Sequence, residues 1–195
     1  NPKLSTSYRI DDNFYKASVN ERDVSTFTIQ PGIEIGYDTG KTIVMLDYSL
    51  NIVEYNDEDD VIGLLPASEE DYTGHEAIFS LKTLPFDRLT LGLDDSFNKS
   101  REGANTEQLS NNPSNRNKYS INRITPFVYY EFNSIFHAGI KYRNTELNYD
   151  PAGMEDSSVD KYTIDFVYNF TRKLSIDLEY QYWDMDFDQT TSDFD

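Results

Sequence analysis

The sequence predicts an all-β fold: an antiparallel up-and-down transmembrane β-barrel with about nine strands visible and one or more C-terminal strands missing. Three observations predict it. Apolar and polar residues alternate in window after window, which is the period of a pleated strand. The strands are long: ~15 residues at ~3.3 Å each span roughly 50 Å, against about 5–6 residues for a globular strand and ~9–11 for a tilted bilayer crossing. Short and long connections alternate strictly, as periplasmic turns and outside loops do in membrane barrels, whereas soluble sandwiches mix loop lengths.

The strands are expected at 3–10, 24–37, 41–55, 73–84, 88–99, 118–132, 135–149, 160–170 and 173–187. In the second, Phe27, Ile29, Pro31, Ile33, Ile35 and Tyr37 share one face, with Thr26, Thr28, Gln30, Gly32 and Glu34 on the other. The third sets Val44, Leu46, Tyr48, Leu50 and Ile52 against a mixed face holding Asp47 and Asn51. Ala77, Phe79 and Leu81 alternate in the fourth, and Leu89, Leu91 and Leu93 in the fifth. The sixth carries Ile124, Pro126, Val128, Tyr130 and Phe132; the seventh Phe136, Ala138, Ile140 and Tyr142. The eighth carries Tyr162, Ile164, Phe166, Tyr168 and Phe170; the ninth Leu174, Ile176, Leu178, Tyr180 and Tyr182. Pro31 and Pro126 lack the N–H of a ladder bond, so a bulge or local irregularity is expected at each.

Asp38-Thr39-Gly40, Pro85-Phe86-Asp87, Asn133-Ser134 and Thr171-Arg172 read as short turns, the first with Gly supplying positive φ. Residues 11–23, 56–72, 100–117 and 150–159 read as long polar loops. If the first strand rises, the ninth rises too. Single-chain bacterial barrels usually have even strand numbers, so further strands, or other chains sharing the barrel, are expected to complete it. Residues 1–195 read as one such domain.

The chain has 195 residues, 37% hydrophobic, with a formal charge of −18, no cysteine and two histidines. The charge argues against a nucleic-acid partner, which needs clustered Lys and Arg. Aromatic residues at 14%, regularly spaced, argue against a disordered chain. No apolar run reaches the ~18–20 residues of a membrane helix; strands that cross a bilayer hide their signal in alternation. No signal peptide begins at Asn1, and an exported protein would have lost it.

On this reading the apolar face meets lipid and the other face lines a wet interior. The lining residues are Glu34, Asp47, Lys82, Asp94, Arg123, Lys141, Arg143, Asp165, Asp177 and Glu179, joined by Glu131, His137 and Gln181. Mixed charge can set the ion preference of a channel or pair across the lumen and plug it. Tyr37, Phe86, Phe132, Phe136 and Phe170 lie by the short turns, and Tyr55, Phe97, Tyr119, Tyr149 and Tyr162 toward the long loops, as two interfacial girdles would. Trp183 is expected in the outer girdle rather than as a ligand platform. A soluble acidic sandwich would invert the picture, with the apolar face as its core.

Catalysis is not expected. His75 and His137 fall at opposite ends, no nucleophile elbow is present, and Asp94 and Asp95 point to opposite faces. No cofactor is expected. Asp57, Asp59 and Asp60 are candidate Ca²⁺ ligands, but they lack the Gly and terminal Glu of an EF-hand, and a solvated acidic loop is the simpler reading, as for 69–71 and 184–188. Asn112-Pro113-Ser114 is no glycosylation acceptor, because Pro occupies its middle position, and Asn169-Phe170-Thr171 matches by chance in a short turn.

Asp11-Asp12-Asn13-Phe14-Tyr15, TIQPGIEIGYDTGKTIVMLDYSLNIVEY over 28–55, ITPFVYYEFNSIFHAGIKYRNTELNYD over 124–150 and YNFTRKLSIDLEYQYWDMDFD over 168–188 resemble a family of outer-membrane β-barrel porins, often encoded near exopolysaccharide export genes in Gram-negative bacteria. The motifs are loose and cover most of the chain. The resemblance implies an outer-membrane location, a pore, and a longer chain; it carries no catalytic residues. The expected function is a passive porin-like conduit linked to exopolysaccharide export. The alternatives are a non-conducting barrel that anchors or scaffolds an envelope assembly, and a soluble acidic β-sandwich that binds a ligand. Expected partners are outer-membrane lipid, lipopolysaccharide and envelope proteins; the sequence leaves oligomeric state open.

Overall fold

The computed structural model describes residues 1–14, 21–58, 65–101, 117–150, 155–171 and 173–188. These form one nine-stranded antiparallel sheet in which each strand pairs with the next in sequence. The strands are β1 (Pro2–Asp11), β2 (Val24–Asp38), β3 (Thr42–Asp57), β4 (Tyr72–Phe86), β5 (Leu89–Ser100), β6 (Tyr119–Glu131), β7 (Phe136–Tyr149), β8 (Asp156–Thr171) and β9 (Leu174–Asp188). One 3₁₀ turn, Ala67–Glu70, precedes β4, and no α-helix occurs among the described residues. The short and long connections alternate as expected, and Gly40 has the positive φ of 79° that its turn requires.

The expected closure into a barrel is not made by these nine strands. The order is linear, with β1 and β9 as its two edges. Both run in the same direction, so pairing them with each other would be parallel rather than antiparallel.

β8 begins at Asp156, four residues before its expected start. Asp156, Ser157 and Ser158 look like loop because they are polar, and Val159 falls in the same expected loop, yet Ser157, Ser158 and Val159 pair with Leu147, Glu146 and Thr145. Tyr149 N–H donates to the Asp156 carboxylate at 2.7 Å, tying the two strands at their tips.

Neither internal proline makes a bulge. The β2–β3 register is the same at Ile29↔Ile52 and Gly32↔Ser49, with the two intervening pairs lapsed, and β6–β7 behaves likewise between Ile124↔Asn144 and Phe127↔Lys141. A missing N–H therefore costs one ladder two pairs without shifting a side chain to the wrong face. The register shifts fall instead beside short turns, at Thr83/Phe86 and Asn169/Thr171.

Register assigns every strand residue to one of two faces. On one lie Leu4, Ile33, Tyr48, Phe79, Leu93, Val128, Ile140, Ile164 and Tyr180 with their alternates. Most of the exposed large hydrophobic strand residues belong to this apolar face; Ile43, Met45, Ile78, Trp183 and Phe187 lie on the other. Buried strand positions belong mostly to the other: Ser49, Thr125, Thr145 and Thr163 midway, and Val24, Val53, Tyr55, Tyr119, Leu147 and Val159 toward the long loops. A single sheet crowds one face in this way by curling toward it.

The compact cluster lies at the long-loop end. Phe14, Val24, Val53, Tyr55 and Ala67 pack together, with Tyr72 against them and the Phe14 and Tyr55 rings 4.9 Å apart. Two polar neighbours hold the loops onto it: Arg22 Nε donates to Asp57 Oδ1 at 2.7 Å, and Ala67 N–H to Asp57 Oδ2 at 2.8 Å.

Candidate functional site

The polar face gathers the residues expected to line an interior. Glu34, Asp47, Lys82, Asp94, Arg123, Glu131, His137, Lys141, Arg143, Asp165, Asp177, Glu179 and Gln181 all fall on it by register. Alternation read the parity of each strand correctly because a period-two pattern fixes the face once one residue is placed. Lys3, Arg9, Glu76 and Lys161 share this face. Glu76 was legible from the phase of Lys82, and Lys161, inside the expected strand 160–170, from the phase of Tyr162.

Charges of both signs share this face. Glu34, Asp47, Glu76 and Asp94 lie on β2 to β5 with Lys82 among them, while Arg123, Lys141, Arg143 and Lys161 lie on β6 to β8 with Glu131 and Asp165. Some are neutralised in place. Lys3 of β1 pairs with Asp47 across β2, where Gly32 stands between them in the sheet and leaves room for the lysine stem. Lys141 lies 3.1 Å from Asp165 and 5.7 Å from the Tyr129 ring centroid, and the Tyr129 hydroxyl donates to Asp165 at 3.3 Å. Ser80 donates to Asp94 at 2.7 Å, and Gln181 to Glu179.

Two aromatic rings also point to this side. Phe127 lies over Gly92 and Tyr129 over Gly139, each ring occupying the space a Cβ would need. Glycine is used here for close approach, and the ring covers the backbone that the glycine leaves bare.

The apolar face carries a band whose limits step from strand to strand. A straight row across the sheet runs through Tyr37, Val44, Leu81, Leu93 and Pro126, then Tyr142, Tyr162 and Tyr182. On β2 the apolar residues extend from this row toward the long loops, up to Phe27; on β9 they extend the opposite way, down to Leu174. The middle of the band lies five residues above the row on β2 and four below it on β9, a drift of nine residues over seven strand steps. Beyond the band the same face turns polar, at Asp95, Asn144, Asp160 and Asp184.

The lower aromatics keep their expected place. Tyr37, Phe86, Phe132 and Phe170 are exposed on the apolar face, with Phe132 stacked on Phe136 at 4.9 Å. The upper set divides. Phe97 and Tyr162 lie on the apolar face, but Tyr55, Tyr119 and Tyr149 turn to the polar face, where Tyr55 and Tyr119 are buried. Trp183 also lies on the polar face, directly opposite Lys161, so it does not join an outward girdle. Burial, with the Asp156 carboxylate nearby, pushes the Tyr149 phenol up, at the strand tip well beyond the band.

Of the calcium candidates, Asp57 has both oxygens engaged, by Arg22 and by the Ala67 amide, while Asp59 and Asp60 lie outside the described residues. No group of three His, Cys, Asp or Glu side chains suited to a metal occurs among the described residues. His75 sits on the apolar face with Nδ1 2.8 Å from the Tyr48 hydroxyl; His137 sits on the polar face beside Glu131. Comparison with family models, curated proteins and solved structures finds no match for the chain.

Proposed function

We propose that the chain forms the wall of an outer-membrane β-barrel and acts as a passive, porin-like conduit, with the apolar face against lipid and the polar face toward water. The drift of the apolar band carries this reading. A flat lipid layer crosses tilted strands obliquely, so its contact band must step along the sheet. Nine residues over seven strands is about 1.3 residues per strand; at ~3.3 Å rise and ~4.8 Å strand spacing this corresponds to a tilt of roughly 40°. Membrane barrels tilt by about 35–45°. A sandwich core has no reason to follow a plane at that angle.

Exposure supports the same reading. Ile140, Leu178 and Tyr180 are 60%, 64% and 65% exposed although they belong to a continuous apolar surface, and large contiguous patches of this kind mark a partner or a membrane. Closure in the antiparallel sense needs further strands between β1 and β9, from this protein or from another chain. The resemblance to porins encoded near exopolysaccharide export genes supports an outer-membrane site and a link to that export.

The non-conducting alternative has its own support. Phe127, Tyr129 and the Lys3–Asp47 and Lys141–Asp165 pairs fill the polar face, and small barrels are filled by side chains. Single-channel recording of the full-length protein in a planar bilayer separates the two. Stable open steps establish a conduit. A protein that folds as a barrel, by heat-modifiable migration in detergent, yet stays silent is an anchor or scaffold. A protein with no heat-modifiable form and no lipid insertion is neither.

A further inference from the structure

The cations of β6 to β8 are placed against expectation for a chain of charge −18. Arg143 and Lys161 are direct cross-strand partners on the polar face. Like charges in that position repel. Arg123 lies diagonally beside Arg143, with Thr125 between them, and Arg143 Nε reaches only the Thr125 hydroxyl, at 3.4 Å. The Arg123 Nε is buried and has no hydrogen-bond partner. No carboxylate among the described residues forms an ion pair with any of the three. The acids nearest on this face are engaged elsewhere: Asp94 by Ser80, Asp165 by Lys141 and Tyr129, Glu179 by Gln181. Trp183, the single tryptophan of the chain, stands opposite Lys161 on the same face and is 63% exposed.

We infer that Arg123, Arg143, Lys161 and Trp183 form a binding station for a carboxylate-bearing oligosaccharide on the polar face. The flat indole offers a stacking surface for the C–H face of a pyranose ring. Lys161 beside it, with Arg143 and Arg123 on the next two strands, meets the carboxylates of successive sugars. Binding supplies the negative charge that the fold withholds from these cations, and relieves both their mutual repulsion and the orphaned Arg123 donor. The inference rests on the reading of this face as the wetted inside of a conduit, and gives that conduit a class of cargo.

Trp183 fluorescence reports on the station directly. The full-length protein, folded in zwitterionic detergent, is titrated with pentagalacturonate, with maltopentaose as the uncharged sugar and with inorganic phosphate as the charge without a ring. Pentagalacturonate should shift Trp183 emission saturably, and its binding should weaken as salt rises. R123Q/R143Q/K161Q should weaken it by about tenfold or more, since each charged hydrogen bond is worth roughly that factor. R123K/R143K/K161R should retain binding, and K118Q/K173Q, altered outside the station, should match the wild type. No response to pentagalacturonate, an undiminished response in the triple glutamine variant, or equal affinity for maltopentaose or phosphate overturns the assignment. Bilayer conductance is read separately, so a silent channel that still binds pentagalacturonate rejects the conduit and not the station.

Discussion

Ile140→Arg, paired with Glu146→Arg, tests the lipid contact on one strand. Ile140 lies on the apolar face of β7, in the middle of the stretch from Phe136 to Tyr142, and is 60% exposed. Glu146 lies on the same face six residues further along β7, beyond the band; at ~3.3 Å per residue the two are roughly 20 Å apart. If water bathes both positions, each change costs within about ±0.5 kcal/mol, as surface substitutions do. If lipid covers the band, Arg at its middle costs ~2–4 kcal/mol and Arg near the interface ~0–1 kcal/mol. The difference, about 2–3 kcal/mol, is roughly 30- to 150-fold in the unfolding equilibrium. Urea titration of the full-length protein folded into phosphatidylcholine vesicles measures it, with m checked for constancy between variants. Equal costs for the two substitutions would refute the lipid assignment of this face and return it to a covered core or a protein interface.

Three further outcomes follow from the packing. Gly92→Ala should destabilise by about 1–3 kcal/mol, because the new methyl collides with the Phe127 ring; a double-mutant cycle with Phe127→Leu should recover most of it. Tyr55→Ala should cost ~3–5 kcal/mol by opening the cluster with Phe14, Val24, Val53 and Ala67, and limited proteolysis should then cut near the 3₁₀ turn first. If the protein conducts, Lys141→Gln should leave Asp165 unneutralised at the wall and shift the reversal potential in a salt gradient toward cation preference, while Lys173→Gln should not.

The apolar and polar faces were legible in the sequence because alternation has a period of two, and a correct phase at one residue places the whole strand. Asp47, Arg123 and Asp177 needed no more than that. Legibility failed where both faces are polar. Residues 156–159 look like loop by composition, and only their pairing to β7 makes them strand; Lys161 lay inside the expected strand, but its place opposite Arg143 and Trp183 came only from register. Trp183 itself was misplaced because nearness to a strand end says nothing about face, whereas its phase with Glu179 does.

The sequence by itself determined the strands, their order of short and long connections, and which residues share a face, since these depend on local periodicity and turn chemistry. Tertiary structure decided the rest. Register aligned neighbouring strands, and only then did the apolar residues become a band that drifts about 1.3 residues per strand instead of nine separate stripes. Register also brought Arg143 beside Lys161, set Lys3 within reach of Asp47 two strands away, and laid Phe127 over Gly92. Those relations run between strands, and no pattern along one strand encodes them.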